Sequence, residues 1–425
     1  MEIIKYPNQN AWESLAQRPT MDVSTLFGTV EEVLNQVKTN GDKALIHYEQ
    51  LFDKVVLTSL AVSPEEINAA EKLVSNDLKQ AIQTAKQNIE TFHAAQRFEG
   101  KRIETTAGVS CWQKAVAIEK VGLYIPGGTA PLFSTVLMLA VPAQIAGCKD
   151  IILCTPPSKD GTIHPAILYA AKQAGVSQVF KIGGSQAIAA MAYGTESIPK
   201  VYKIFGPGNQ YVTAAKQLVS LKDAAIDMPA GPSEVLVIAD KEANPSFIAS
   251  DFLSQAEHGK DSQSILVTDC EELIPHVEQA IAEQLARLPR RDITAQALQN
   301  CRIILLRKEE IVDFVNLYAP EHLIIQTADY ATIAERITNA GSVFLGAYTP
   351  ESAGDYASGT NHTLPTNGYA KAYSGVNLDS FIKKITFQEI SKEGISNLGN
   401  TIEVMAENEQ LDAHKHAVTL RLQAL

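Results

Sequence analysis

From residue 116 onward the chain alternates short, β-branched apolar runs with segments of helical spacing, and nothing else in the sequence restricts the fold as much. Runs 116–125, 150–155, 178–182 and 201–205 read as strands, and segments 132–146, 165–173 and 186–193 as the helices between them. The alternation resumes with strands at 233–239, 264–268, 302–306, 322–326 and 342–345. Helices are expected at 244–259, 273–288, from 309, and 331–339. Strands apolar on both sides, each followed by a helix, specify parallel sheets covered on both faces. The expected fold is α/β, with two similar doubly wound units, the second completed by residues before 124. Spacings of three and four over 30–39, 64–75 and 78–98 predict helices before these units. Residues 401–425 form an amphipathic tail whose apolar positions need another surface.

Length and charge narrow the function. A chain of 425 residues, 45% hydrophobic, buries large cores without covalent staples. A net charge of −12 argues against nucleic acid and against anionic membrane surfaces as partners. Cys111, Cys148, Cys154, Cys270 and Cys301 are scattered and contain no CxxC pair, which fits a reducing compartment without disulfides or a thiolate zinc knuckle. The amino-terminal residues lack a signal peptide's basic start and apolar run. The longest apolar stretch, 132–147, is broken by Ser134, Thr135, Pro142 and Gln144. A cytoplasmic location is the expectation.

Glycine-rich turns follow three strands: Pro126-Gly127-Gly128, Gly183-Gly184 and Gly206-Pro207-Gly208-Asn209. Ligands of open parallel sheets bind beyond the carboxyl ends of strands, and glycine lets backbone amides approach them. None of the three is the dinucleotide fingerprint, because Tyr211 stands where a third glycine would be. Each glycine serves equally well as a tight turn.

Chemistry-bearing residues fall in four places. Asn244-Pro245 starts a helix and Gly259 is its expected stop. Ile248, Ala249, Phe252 and Ala256 form its apolar arc, and Asp251, Gln255 and His258 a polar stripe at the edge. Gln255 and His258, three apart, can address a common ion. A histidine near a helix carboxyl end is also favoured by the dipole alone, and glutamine is an uncommon zinc ligand. Glu321-His322 opens a strand after Pro320, offering an acid and a base side by side. The polar stretch 351–363 carries Asp355 and His362 and reads as a binding loop. His414 lies on the tail with Glu409 just upstream, and His416 reads as solvated.

These residues stand within motifs that carry a resemblance. Gly-Pro-Gly-Asn (206–209), Asp-Met-Pro-Ala-Gly-Pro-Ser-Glu (227–234), Ser-Gln-Ala-Glu-His-Gly (254–259), Tyr-Ala-Pro-Glu-His-Leu (318–323), Ser-Ala-Gly-Asp-Tyr-Ala-Ser-Gly-Thr-Asn-His (352–362) and Ala-His-Lys (413–415) occur in this order. From about residue 20 to the end the chain resembles histidinol dehydrogenase. The resemblance implies two incomplete Rossmann-like domains with small amino- and carboxyl-terminal helical extensions. Residues 1–21 would be one extension; 22–124 with 231–375 one domain; 125–230 the other; and 376–425 a helical tail for dimerisation.

It implies one Zn²⁺ per subunit held by Gln255, His258, Asp355 and, from the other subunit of a homodimer, His414. Glu321 would activate water and His322 act as general base. Ser233, His362 and Glu409, with the metal ligands and His322, would contact substrate, and Tyr124, Gln186 and Asn209 would contact NAD⁺. The implied activity is the four-electron oxidation of L-histidinol through L-histidinal to L-histidine. Two other classes remain open on the residues: a zinc hydrolase of an amino-acid-like substrate, and a non-catalytic protein whose lobes close on such a ligand.

Overall fold

A computed structural model describes residues 1–19, 23–127, 130–228 and 231–425. Among these, two parallel sheets carry the architecture. One is six-stranded, in the order Glu2–Lys5, Arg302–Leu305, Gln263–Thr268, Glu234–Ala239, His322–Gln326, Ser342–Leu345. The other is five-stranded, in the order Gln178–Lys181, Asp150–Thr155, Lys120–Tyr124, Lys203–Phe205, Ala225–Ile226. Apart from the edge strand Glu2–Lys5, both sheets wind the same way. The earliest strand is central, the next two extend to one side and the last two to the other. The winding reverses between the first and fourth strands, where such sheets open a crevice.

Burial explains why these runs are strands. Every residue of Glu234–Ala239 and Gln263–Thr268 is buried, as strands covered on both faces require. Helix Phe133–Ala146 is buried at each position from Ser134 to Ala143, because it lies between the five-stranded sheet and helix Asn76–Ala94.

Three expectations need correction. The single strand predicted over 116–125 is two. Val109–Ala117 pairs antiparallel with Ile103–Thr106 and Ile382–Ile390, and only Lys120–Tyr124 enters the parallel sheet. Strand Ile382–Ile390 is exposed along nearly all its length, so its sequence carries no core-facing alternation to reveal it.

The second correction concerns residues 22–124, expected to belong with 231–375. Helices Phe27–Asn40, Pro64–Leu73 and Asn76–Ala94 instead cover the five-stranded sheet. Val30, Val33, Leu34 and Val37 share a core with Tyr124, Ile152 and Ile188, and Ile82, Ala85 and Ile89 share one with Val121 and Leu153. The six-stranded sheet is completed from the amino-terminal end itself, so the extension 1–21 supplies a strand, Glu2–Lys5, as well as short helical turns.

Third, the tail is a hairpin of two helices, Lys392–Asn408 and Asp412–Gln423, with Gln410 at φ +59° between them. Gly399 lets the two approach, since a Cβ there would lie 2.8 Å from Leu422 Cδ2. Val404, Met405, Leu411 and Leu420 remain exposed. All five cysteines are free. No helix among the described residues is long and apolar enough to cross a membrane.

Candidate active site

Helix Pro245–Ala256 begins where the sequence places it: Asn244 accepts from Ser246 N–H at 2.9 Å and Pro245 occupies the first turn. It ends before Gly259, which leaves His258 just beyond the helix and exposed, with Gln255 buried in its last turn. Residues 351–356, expected as loop, form the short helix Glu351–Tyr356. Glu351 and Asp355, four apart, therefore share one face. One ligand atom from each of His258, Glu351 and Asp355 lies within 4.8 Å of the others.

Strand His322–Gln326 delivers the adjacent acid and base. Ala319 adopts φ +54° and Pro320 follows, turning the chain into the strand. Glu321 and the strand Glu234–Ala239 lock together: Glu234 N–H donates to Glu321 Oε2 at 2.9 Å, and Glu321 N–H donates to Glu234 Oε1 at 3.2 Å. Arg18 clamps Glu234 through two nitrogens at 2.8 and 3.0 Å and donates to the Tyr318 carbonyl at 2.6 Å. His322 Nδ1 lies 3.3 Å from the Glu234 carbonyl, so that nitrogen carries the proton in the neutral ring. Its Nε2 has no hydrogen-bond partner and lies 3.6 Å from Asp355 Oδ1.

The electrostatics show an excess of buried negative charge. Burial disfavours a charged His322, yet Glu351 and Glu321, with Asp355, outweigh it and raise the ring's pKa well above normal. Burial, with the charges of Asp355, Glu321 and Asp251, raises that of Glu351 despite His322. Asp355 is lowered, because His322 and its neighbours overcome the burial. Gln255 fills the gap between Glu351 and Glu234. With its oxygen accepting from Glu234 N–H at 2.6 Å, its nitrogen donates to Glu351. In the opposite orientation the oxygen would face the Glu351 carboxyl, as a proton on Glu351 or a shared cation would allow, and the nitrogen would face Glu234 N–H. A histidine and two carboxylates around orphaned buried atoms, with an amide at Gln255 that a half-turn would present oxygen first, fit a divalent metal ion.

Asp251, one turn before Gln255, accepts from Gln326 Nε2 at 2.8 Å, and burial pushes its carboxyl up to about 7. A raised acid pKa means the folded protein keeps a proton that the unfolded chain loses near pH 4. Its contribution is complete below about pH 4 and is lost as pH rises through about 7. Asp251→Asn is expected to flatten that slope and to be the more stable protein at about pH 8. Urea unfolding of both proteins across that range checks this, and parallel curves would contradict it.

The other expected site residues divide. His362 joins the cluster: its Nδ1 meets the Asp355 carbonyl at 2.9 Å and its Nε2 meets Thr135 Oγ1, from a helix of the five-stranded unit, at 3.0 Å. Burial lowers its pKa. Ser233 is half-buried beside Glu234. Glu409 and His414 lie exposed where the tail helices meet, outside the cluster of their own chain.

Tyr124, Gln186 and Asn209 line one cavity of about 800 Å³ at the reversal point of the five-stranded sheet. Tyr124 Oη accepts from Gly184 N–H at 3.1 Å. Gln186 donates to Glu49 at 3.0 Å while its own oxygen has no partner. Asn209 caps helix Gln210–Ser220. Gly206 sits at φ +121°, where a Cβ would strike the Tyr124 carbonyl at 2.0 Å. Gly128, of the first glycine turn, lies outside the described residues. The sequence reading missed Glu351, Glu234 and Arg18. Glu351 had a signal, its spacing of four from Asp355, but only once 351–356 is helical.

The chain is similar to known proteins along nearly its whole length. The histidinol dehydrogenase family model matches residues 16–422. Histidinol dehydrogenase of Bacteroides thetaiotaomicron is 66% identical over 426 residues, covering 100% of both chains. That of Escherichia coli is 56% identical over 415 residues, 97% of this chain and 95% of the relative. The crystal structure of histidinol dehydrogenase from Elizabethkingia anophelis superposes with a TM-score of 0.98 at 57% identity, covering 100% of this chain and 98% of that one. With the family model, the relatives and the superposed structure matching over nearly its whole length, the chain belongs to the histidinol dehydrogenase family of oxidoreductases.

Proposed function

We propose that this enzyme oxidises L-histidinol to L-histidine through L-histidinal, with two NAD⁺ reduced and one water consumed per substrate. The observation that carries this is the orphaned Nε2 of buried His322 beside the His258–Glu351–Asp355 cluster, with Glu321 adjacent. Gln255, His258 and Asp355 would hold the zinc, with His414 of a second copy as fourth ligand. The exposed apolar residues of the tail hairpin fit such a dimer. Bound there, the ion would grip substrate nitrogens and cancel the carboxylate field that keeps a proton on His322.

His322 Nε2 would take the hydroxyl proton in the first oxidation, and NAD⁺, held by Tyr124, Gln186 and Asn209, would supply the hydride acceptor. Glu321, pinned by Glu234 N–H through one oxygen, uses the other to take a proton from water adding to the aldehyde. Once His322 has passed its first proton to solvent, it would serve again as base for the hydrated aldehyde in the second oxidation. Ser233, His362 and the second copy's Glu409 would orient the substrate. Tyr124, Gln186 and Asn209 would contact the nucleotide.

Absorbance at the nicotinamide wavelength is expected to show two NADH formed per histidinol. Chelation should abolish the activity and Zn²⁺ restore it. Product without nicotinamide reduction would sink the reading in favour of hydrolysis. His414→Ala and Glu321→Gln proteins, each nearly inactive alone, are expected to regain activity when refolded together, because a mixed dimer has one intact site. No recovery would mean that His414 does not cross between subunits.

A further inference from the structure

We propose that Asp53, held at the cavity wall by a turn anchored through Glu49, makes this site select NAD⁺ and reject NADP⁺. The inference rests on the reading that the cavity of Tyr124, Gln186 and Asn209 holds the nucleotide. Helix Asp42–Tyr48 widens into the π-wound turn Glu49–Asp53, closed by Lys54 at φ +61°. Such turns re-aim side chains, and are frequent at functional sites. This one sends Glu49 fully inside and leaves Asp53 half-buried on the cavity lining.

Glu49 Oε1 accepts from Gly183 N–H at 3.1 Å and from Gln186 Nε2 at 3.0 Å. One buried carboxylate thus ties the turn bearing Asp53 to the turn that opens helix Gly184–Tyr193. Burial pushes the Glu49 carboxyl up to about 7, and Asp53 adds to that rise. The same surroundings raise Asp53 from its ordinary value.

Charge decides the preference. Among the described residues lining the cavity there is no lysine or arginine. Gly183 and Gly184 N–H are engaged by Glu49 and Tyr124, so the start of helix Gly184–Tyr193 offers a pyrophosphate its dipole. A 2′-phosphate would bring roughly two more negative charges. It would find no lysine or arginine, a single imidazole at His164, and one carboxylate already on the wall. Doubly wound dehydrogenases sort the two nucleotides by this means, with an acid for the ribose hydroxyl or an arginine for the phosphate.

The test measures Kd for NAD⁺ and NADP⁺ by calorimetry on the full-length protein without substrate, together with the ratio of kcat/KM for the two. Wild type should favour NAD⁺, and Asp53→Asn should shift the ratio of Kd values toward NADP⁺ by about tenfold or more, since a like charge in a poorly solvated cavity is removed. Asp53→Arg should shift it further. An unchanged ratio in both variants, or equal weakening of both nucleotides, overturns the proposal. Gln186→Ala separates the two levels of inference. If it leaves the Kd for NAD⁺ unchanged, the nucleotide lies elsewhere and the cavity reading falls with the proposal. If it weakens NAD⁺ while Asp53 variants keep the ratio, only the proposal falls.

Discussion

His322→Asn is expected to lower kcat by about a hundred- to ten-thousand-fold, the usual contribution of a positioned base. The ring is buried, its Nδ1 is directed to the Glu234 carbonyl, and its Nε2 alone is free to accept a proton. Asparagine keeps a polar group but cannot exchange a proton near neutral pH. Both oxidations need that base, so rates with histidinol and with histidinal should fall together.

Glu321→Gln is expected to separate them. With its carboxylate in the proposed role in water addition, oxidation of histidinal should lose at least tenfold more than oxidation of histidinol, within the same range of effect. Stopped-flow absorbance of NADH with each substrate distinguishes the variants. Equal losses in Glu321→Gln would remove the assignment of water activation to Glu321.

The second large effect is structural. Arg18→Ala is expected to cost about 3–5 kcal/mol, because it leaves the buried carboxylate of Glu234 without its partner. The Arg18 and Glu234 side chains are only 9% and 1% exposed, so solvent screens the pair little. Arg18 also stacks on the Tyr318 ring at 3.5 Å and accepts no simple substitute, since lysine lacks the planar fork that spans both carboxylate oxygens. Urea unfolding should show the loss as a lower midpoint with an unchanged slope. Glu234 also holds Glu321, so activity should fall before the protein unfolds. A variant as stable as wild type would mean that Glu234 finds another partner or a proton at no cost.

Legibility followed periodicity. Strands buried on both faces, such as 150–155 and 322–326, match their predicted spans, because a doubly covered strand must be apolar through its middle. The exposed strand Ile382–Ile390 and the short helix Glu351–Tyr356 had no apolar stripe to announce them. The segments 30–39, 64–75 and 78–98 read correctly as helices within a few residues, but an apolar stripe records that a helix is covered and not by which sheet.

The residue types that carry proton transfer and metal affinity were determined by the sequence itself: Glu321 with His322, Gln255 near His258, and Asp355 near His362. Their order and their motifs sufficed for the family. Tertiary structure alone decided that Glu351 joins the cluster, that Arg18 and Glu234 hold Glu321, and that Glu49 fastens the Gly183-Gly184 turn. The reason is physical: a buried charge is stable only beside the particular groups that compensate it, and these partners come from segments as far apart as residues 18 and 234, joined only when the sheets close.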